Sequence, residues 1–163
     1  MQSFQRMKRL CPWTPHVKAG KSPEDPLRPK VPQFAGIPGW LLLTHSEEER
    51  PVALFVDKTN TPRSISVVLD ERLFSDTVLR VIQLKPDVFV VCDIRWLNGI
   101  CVYEKLAYTA RQALVENLLE AFHQTDLSAL LTYDEVPMDA FVRGWEVYDD
   151  SPGTLGVFLP AKE

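Results

Sequence analysis

The sequence predicts an α+β domain built mainly of antiparallel β-sheet. Three observations predict it: short apolar runs of strand length recur along the chain, an Asn98-Gly99 dipeptide joins two of them, and a single segment has helical period. Asn-Gly accepts the positive φ angles that a two-residue type I′ hairpin needs. Leu41–Thr44 and Val52–Val56 read as a hairpin around a Glu-rich turn, and Ser64–Leu69 alternates like a half-buried strand. Val78–Leu84 and Val88–Ile94 pair across Lys85-Pro86-Asp87, and Asn98-Gly99 turns the chain into Ile100–Tyr103. The helix is expected from about Lys105 to Gln124. It would place Leu106, Ala110, Ala113, Leu114, Leu118, Ala121 and Phe122 on one face. Ala140–Val147 and Leu155–Leu159 then add strands on either side of a turn at Asp149-Asp150-Ser151-Pro152-Gly153.

The chain has 163 residues, 45% hydrophobic and 25% charged. This is ordinary for one globular domain with a core of its own. No apolar run approaches the roughly 20 residues of a membrane helix, so no membrane association is expected. Cys11, Cys92 and Cys101 form no CxxC pair and no Cys/His cluster of zinc spacing, which fits reduced thiols and no metal site. No P-loop, GxGxxG or Ser/His/Asp pattern is present, and His16, His45 and His123 are isolated. An apolar signal region is missing from the N-terminal segment, so secretion is not expected.

Charge divides the chain. Residues 1–35 carry a balance of +5 and the remainder −9, giving the net −4. An acidic body argues against a broad phosphate-binding surface, though not against a pocket for one nucleotide. Residues 1–39 hold seven of the 13 prolines, a composition that forms neither a long helix nor a central strand. Residues 1–37 therefore read as a basic, proline-rich extended arm ahead of a domain at 38–163. The arm has three readings: a leader or linker, a docking arm for a protein partner anchored by Trp13 and the Lys8-Arg9 pair, or an organellar (mitochondrial) targeting segment.

Four elements of the body, in order, resemble the covalent nucleotidyltransferase fold of mRNA capping enzymes and DNA/RNA ligases. WLLLTHSEEERPVALFVD at 40–57 has the outline of the strand–turn–strand that carries KxDGxR in those enzymes. The segment 88–122 resembles their strand ending in Asp, Asn-Gly turn and Arg-bearing helix, with Asp93, Asn98, Gly99 and Arg111 in place. Asp139-Ala140-Phe141-Val142-Arg143 and the Ser151-Pro152-Gly153 turn resemble the family's later strands. The chemical positions depart from the enzymes. His45 stands in place of the nucleophilic Lys, Glu47-Glu48 in place of Asp-Gly, and Val78–Ile82 in place of the acidic Asp-Gly-Glu strand. The late Lys is Arg143 or shifts to Lys162. The pattern is most similar to the non-catalytic, snurportin-type cap-binding domains of this fold.

The resemblance implies a protein that is not an enzyme, uses no cofactor, and holds a guanine nucleotide or RNA 5′ cap, in the nucleus and cytoplasm. It implies a cap base between Trp40 and an aromatic of the later strands, Phe158 or Trp145. Arg50 and Arg143 would meet phosphates, with His45 beside them. A methylated guanine is a delocalised cation, which aromatic faces attract. The alternative is a structural subunit of a larger RNA–protein or transport complex that uses the fold as a protein-binding scaffold. Lys58-Thr59-Asn60-Thr61-Pro62-Arg63 also imitates a nucleophile motif. Its distance from Leu69-Asp70-Glu71 is too short for the family arrangement, and it lacks the Gly that admits a nucleotide.

Overall fold

The computed structural model describes residues 28–59, 61–67, 71–119, 129–137 and 140–160, and the strand Val17–Ala19. Its strands are β1 (Val17–Ala19), β2 (Lys30–Phe34), β3 (Ile37–His45), β4 (Pro51–Asp57), β5 (Pro62–Ile65), β6 (Thr77–Lys85), β7 (Val88–Leu97), β8 (Ile100–Cys101), β9 (Ala129–Leu131), β10 (Val142–Val147) and β11 (Gly156–Pro160). Helix α1 spans Tyr108–Leu119. The strands form two sheets. The larger has the order β5-β4-β3-β6-β7-β8, with β9 also on β7; the smaller has the order β1-β11-β10-β2. Among the described strands only β1 with β11 and β7 with β9 run parallel. The fold is thus α+β and mostly antiparallel, as the alternation and the turns predict.

The hairpins form for the expected reasons. Asn98 and Gly99 have φ of 48° and 84°, and Leu97 pairs with Ile100 across them. Thr77 secures this turn, its hydroxyl accepting from the Asn98 N–H at 3.1 Å. Ser46 organises the β3–β4 tip, where its hydroxyl accepts from the Glu48 and Arg50 N–H groups at 3.3 Å each.

The expected boundary at residue 37 falls within the fold, because β1 and β2 are strands of the smaller sheet. Pro32 is compatible with a strand here because β2 is an edge, where a missing N–H costs no ladder bond. Ser64–Leu69 contributes only its first residues, since β5 ends at Ile65, and residues 68–70 lie outside the described ones.

The helix also differs from the expectation. It starts at Tyr108, after a 3₁₀ turn at Val102–Glu104, and its expected end at 120–124 lies outside the described residues. Its buried residues are Tyr108, Arg111, Val115 and Leu119, while Ala110 and Ala113 are exposed. The reason is that Arg111 turns inward to a buried carboxylate. Two alanine methyl groups offer too little apolar area to outweigh that pairing. Leu114 and Leu118 still pack at the margin of the core.

Two apolar layers flank the larger sheet. On one face Leu41, Leu43, Leu79, Val81, Phe89 and Val91 pack with Val115 and Leu119 of α1. On the other, Ile82, Val90 and Cys92 pack with Phe34 of β2 and with Val142 of β10, which brings the smaller sheet onto it. Beside this contact lies a third cluster of Trp40, Leu42, Leu54, Val56 and Val78, with Trp96 at its edge. Gly39 lies in the middle of the larger sheet, where an added Cβ would come 2.5 Å from the Val56 carbonyl oxygen and 2.7 Å from the Phe55 ring. Gly39→Ala is therefore expected to lower stability by about 1–3 kcal/mol, as overpacked cores do. The check is the urea midpoint at unchanged m-value.

Candidate functional site: a buried aromatic and arginine row

Lone charges within apolar strands define the site. Arg80 of β6 lies opposite both Trp40 of β3 and Asp93 of β7 in the ladders. The β6–β7 register shifts three times, leaving Cys92 and Arg95 as extra residues in β7 and Leu84 as one in β6. Such bulges re-aim side chains. Here Asp93 meets the helix while Arg95 swings over the Trp40 ring.

Arg111 grips Asp93 with two nitrogens, Nε at 2.8 Å and Nη2 at 3.1 Å, and gives a third bond to the Leu106 carbonyl at 2.7 Å. Both side chains are fully buried. Arg80 forms the second pair, donating to the two carboxylate oxygens of Glu146 at 2.8 and 2.7 Å. Gln33 and the Tyr148 hydroxyl also donate to Glu146, at 2.7 and 2.6 Å. Burial alone would raise the Glu146 pKa. The Arg80 charge, with hydrogen bonds from Arg80, Gln33 and Tyr148, outweighs it and holds the group at about 2. Burial pushes the neighbouring Cys92 thiol up to about 12, which makes it an inert core thiol.

Aromatic rings join the two pairs. Tyr108 stacks on Tyr148 with centroids 3.8 Å apart. The Arg111 guanidinium lies 4.9 Å from the Tyr103 ring centre and 5.7 Å from that of Tyr108. Arg95 lies over Tyr103 at 4.0 Å and over Trp40 at 5.2 Å. The Ser151-Pro152-Gly153 turn fastens this row from outside. Gly153 donates to the Tyr103 carbonyl at 2.8 Å, and the Tyr103 hydroxyl donates to Thr154 O at 2.8 Å. Asp150 takes the Thr109 N–H and hydroxyl at 2.9 and 2.8 Å, serving as a remote cap for the first turn of α1.

Of the residues expected to share a nucleotide, His45, Arg50 and Trp145 stand apart from Trp40. Trp40 is buried, with 8% exposure, in β3. His45 ends the same strand, roughly 17 Å away at about 3.4 Å per residue. Arg50 is at the exposed β3–β4 tip, 3.8 Å from Glu48. Trp145 is 37% exposed and alternates away from Glu146, so it faces the opposite side of the smaller sheet from the Arg80 pair. Arg143 is the extra residue of a β10 bulge, with its guanidinium 5.2 Å over Phe158. Phe158 is half-buried and closes on Gly144, where an added Cβ would come 2.5 Å from its ring. Asp139 and Lys162 lie outside the described residues.

Asp93 and Arg111, both picked out by the resemblance, do meet. Sequence reasoning missed Arg80, Arg95, Tyr103, Glu146 and Tyr148. For Arg80 and Glu146 the signal is a single charge inside an apolar strand, as in TVLRVIQL and GWEV, which demands a buried partner. A cavity beneath α1, lined by Leu43, Leu79, Val91 and Val115 among others, holds only about 10 Å³, room for one water. Among the described residues no three His, Cys, Asp or Glu side chains gather as a metal site. No described helix is long and apolar enough to cross a membrane.

Fold and site define an α+β protein of two packed, mostly antiparallel sheets with a buried row of arginines and aromatic rings. The chain matches no protein-family model, and no curated protein matches its sequence.

Proposed function

We propose that this chain is a non-catalytic binding protein of the nucleotidyltransferase fold type, similar to snurportin-type cap-binding domains. Its ligand on this reading is the methylated guanine of an RNA 5′ cap. One observation carries the reading: Trp40 and Tyr103 already hold a planar, delocalised cation, the Arg95 guanidinium, at 5.2 and 4.0 Å. A methylguanine has the same planarity and delocalised positive charge, so it can take the guanidinium's place over the Trp40 ring. Desolvated cation–π contacts contribute about 2 kcal/mol and base–aromatic stacking roughly 1–3 kcal/mol. Exchange of arginine for base is therefore near balance, and the larger ring surface of the base favours it. Arg95 acts as a placeholder that keeps Trp40 dry until the base arrives.

A second reading has its own support. Arg50 and His45 lie apart from Trp40, and Trp145 is exposed on the other side of the smaller sheet. That pattern favours a protein-binding scaffold whose Arg95–Trp40 contact is purely structural.

Tryptophan fluorescence, titrated with 7-methylguanosine and trimethylguanosine cap dinucleotides and with GTP as control, separates the two. The cap reading expects saturable quenching by a methylated cap and none by GTP. It further expects Arg95→Ala to bind the cap about tenfold or more tightly, since the base no longer competes with a side chain worth about 2 kcal/mol. Trp40→Phe should weaken binding while keeping the fold. Absence of quenching at millimolar cap, in both the wild type and Arg95→Ala, leaves the scaffold reading.

A further inference from the structure

Trp40 and Leu42 of β3, Leu54 and Val56 of β4 and Val78 of β6 form one apolar patch, in register across three strands. They share the face of the larger sheet that bears Arg80, because Arg80 lies directly opposite Trp40 and two residues from Val78. Leu42, Leu54, Val56 and Val78 are at most 1% exposed. A sheet face is shut off from water only when something packs on it. Among the described residues the apolar neighbours of the patch are its own members and Trp96, with the Arg95 guanidinium over Trp40. The apolar contacts of the smaller sheet fall elsewhere, on Ile82, Val90 and Cys92. A single chain already buries the patch, so the rest of its cover belongs to the same chain.

We propose that residues 1–16 supply this cover, docking on the patch through Trp13 and the apolar residues before it. Phe4, Met7, Leu10 and Trp13 lie outside the described residues. They recur at every third position, with Arg6, Lys8 and Arg9 in between. An extended chain with three residues per turn presents such a series on one edge and the cations on the others. The segment leads into β1, which is held by β11 at the edge of the smaller sheet. That sheet lies on the same face as the patch, through the Arg80–Glu146 pair and the Ile82 cluster. Sixteen residues reach about 50 Å when extended, far more than the roughly 10 Å across three strands. Other undescribed segments fit less well. Residues 68–70 and 120–128 join elements of the α1 face, where Leu73, Leu119 and Leu130 pack. Met138 adjoins Ala140, which packs with Ile82 and Val90 instead. Residues 20–27 and 161–163 offer one large apolar side chain, Leu27. Docked in this way, the arm is a retained part of the core and not a removable leader. A partner meets its cations, because its apolar edge is already occupied.

The test uses the full chain. Subtracting the emission of Trp13→Phe from that of the wild type isolates the Trp13 indole. A blue-shifted emission shielded from acrylamide is expected. Trypsin provides the second readout, since Arg6, Lys8 and Arg9 interrupt the apolar series. It should cut there about tenfold or more slowly in the wild type than in the triple variant Phe4→Ser, Leu10→Ser, Trp13→Ser, because cleavage follows the population of the open form. The triple variant should also have a lower urea midpoint and bind an apolar dye, as its bared patch meets water. Trp13→Phe keeps a large ring, so the emission readout stands even where the triple variant fails to fold. Neither readout involves a cap, so both are separate from the cap titration. The proposal is overturned by a Trp13 emission of a solvent-exposed indole, or by trypsin cutting the arm as fast in the wild type as in the triple variant.

Discussion

Asp93→Ala is expected to cost about 3–5 kcal/mol, because it leaves the Arg111 guanidinium charged and buried without its carboxylate. The pair is fully buried on both sides, and the Asp93 carboxylate also accepts the Ile94 N–H at 2.8 Å. Removing it opens three bonds at once in the strand that joins the helix to the sheet. Arg111→Ala is expected to be comparably damaging, since it strands the Asp93 charge. Replacing both together, Asp93→Leu with Arg111→Met, should cost clearly less than the sum of the two alanine changes, as apolar side chains of similar size often substitute well for a buried ion pair. Urea unfolding of the two single variants and the double one measures this. Strict additivity would mean that the two side chains act separately.

The second large effect belongs to Glu146 and is read by pH. Its pKa sits at about 2, against an ordinary 4.5. The folded state therefore holds this proton less tightly than the unfolded one. The stabilisation is full above about pH 4.5 and is lost as pH falls toward 2. A shift of this size corresponds to stability on the order of 3 kcal/mol. Glu146→Gln should flatten the stability profile between pH 5 and 2, as a change relative to wild type. At pH 7 it should be destabilised because Arg80 keeps its charge and loses its counterion. Glu146→Gln with an acid limb as steep as the wild type's would assign that limb to other carboxylates.

The strands and their turns were legible because they rest on local chemistry. Asn98-Gly99 and the alternation in Val78–Leu84 act within a few residues, so sequence alone exposes them. The face of α1 was misread because periodicity counts Ala110 and Ala113 as apolar and Arg111 as polar. A carboxylate 18 positions earlier reverses that assignment. β2 was hidden by its own composition, since Lys30, Pro32 and Gln33 carry no strand signal. They form one because β10 offers a partner from far along the chain. Of the site, the Asp93–Arg111 pair was legible through the resemblance. The Arg95 cover on Trp40 depends on a bulge in β7, and bulges have no dependable spacing signature.

The smaller sheet is sewn from segments of very different sequence position: Gln33 of β2 reaches Glu146 of β10 across 113 residues. During synthesis, β6 and β7 therefore leave the ribosome with Ile82, Val90, Cys92 and Arg80 still uncovered. They stay so until β10 arrives, which at about 5–20 residues per second takes several seconds. For that interval the nascent chain displays a sticky apolar sheet face with an unmatched cation in its middle. The residues that will shield it are among the last described ones to be made. Yield in the cell should then depend on holding chaperones more than the finished protein's stability suggests.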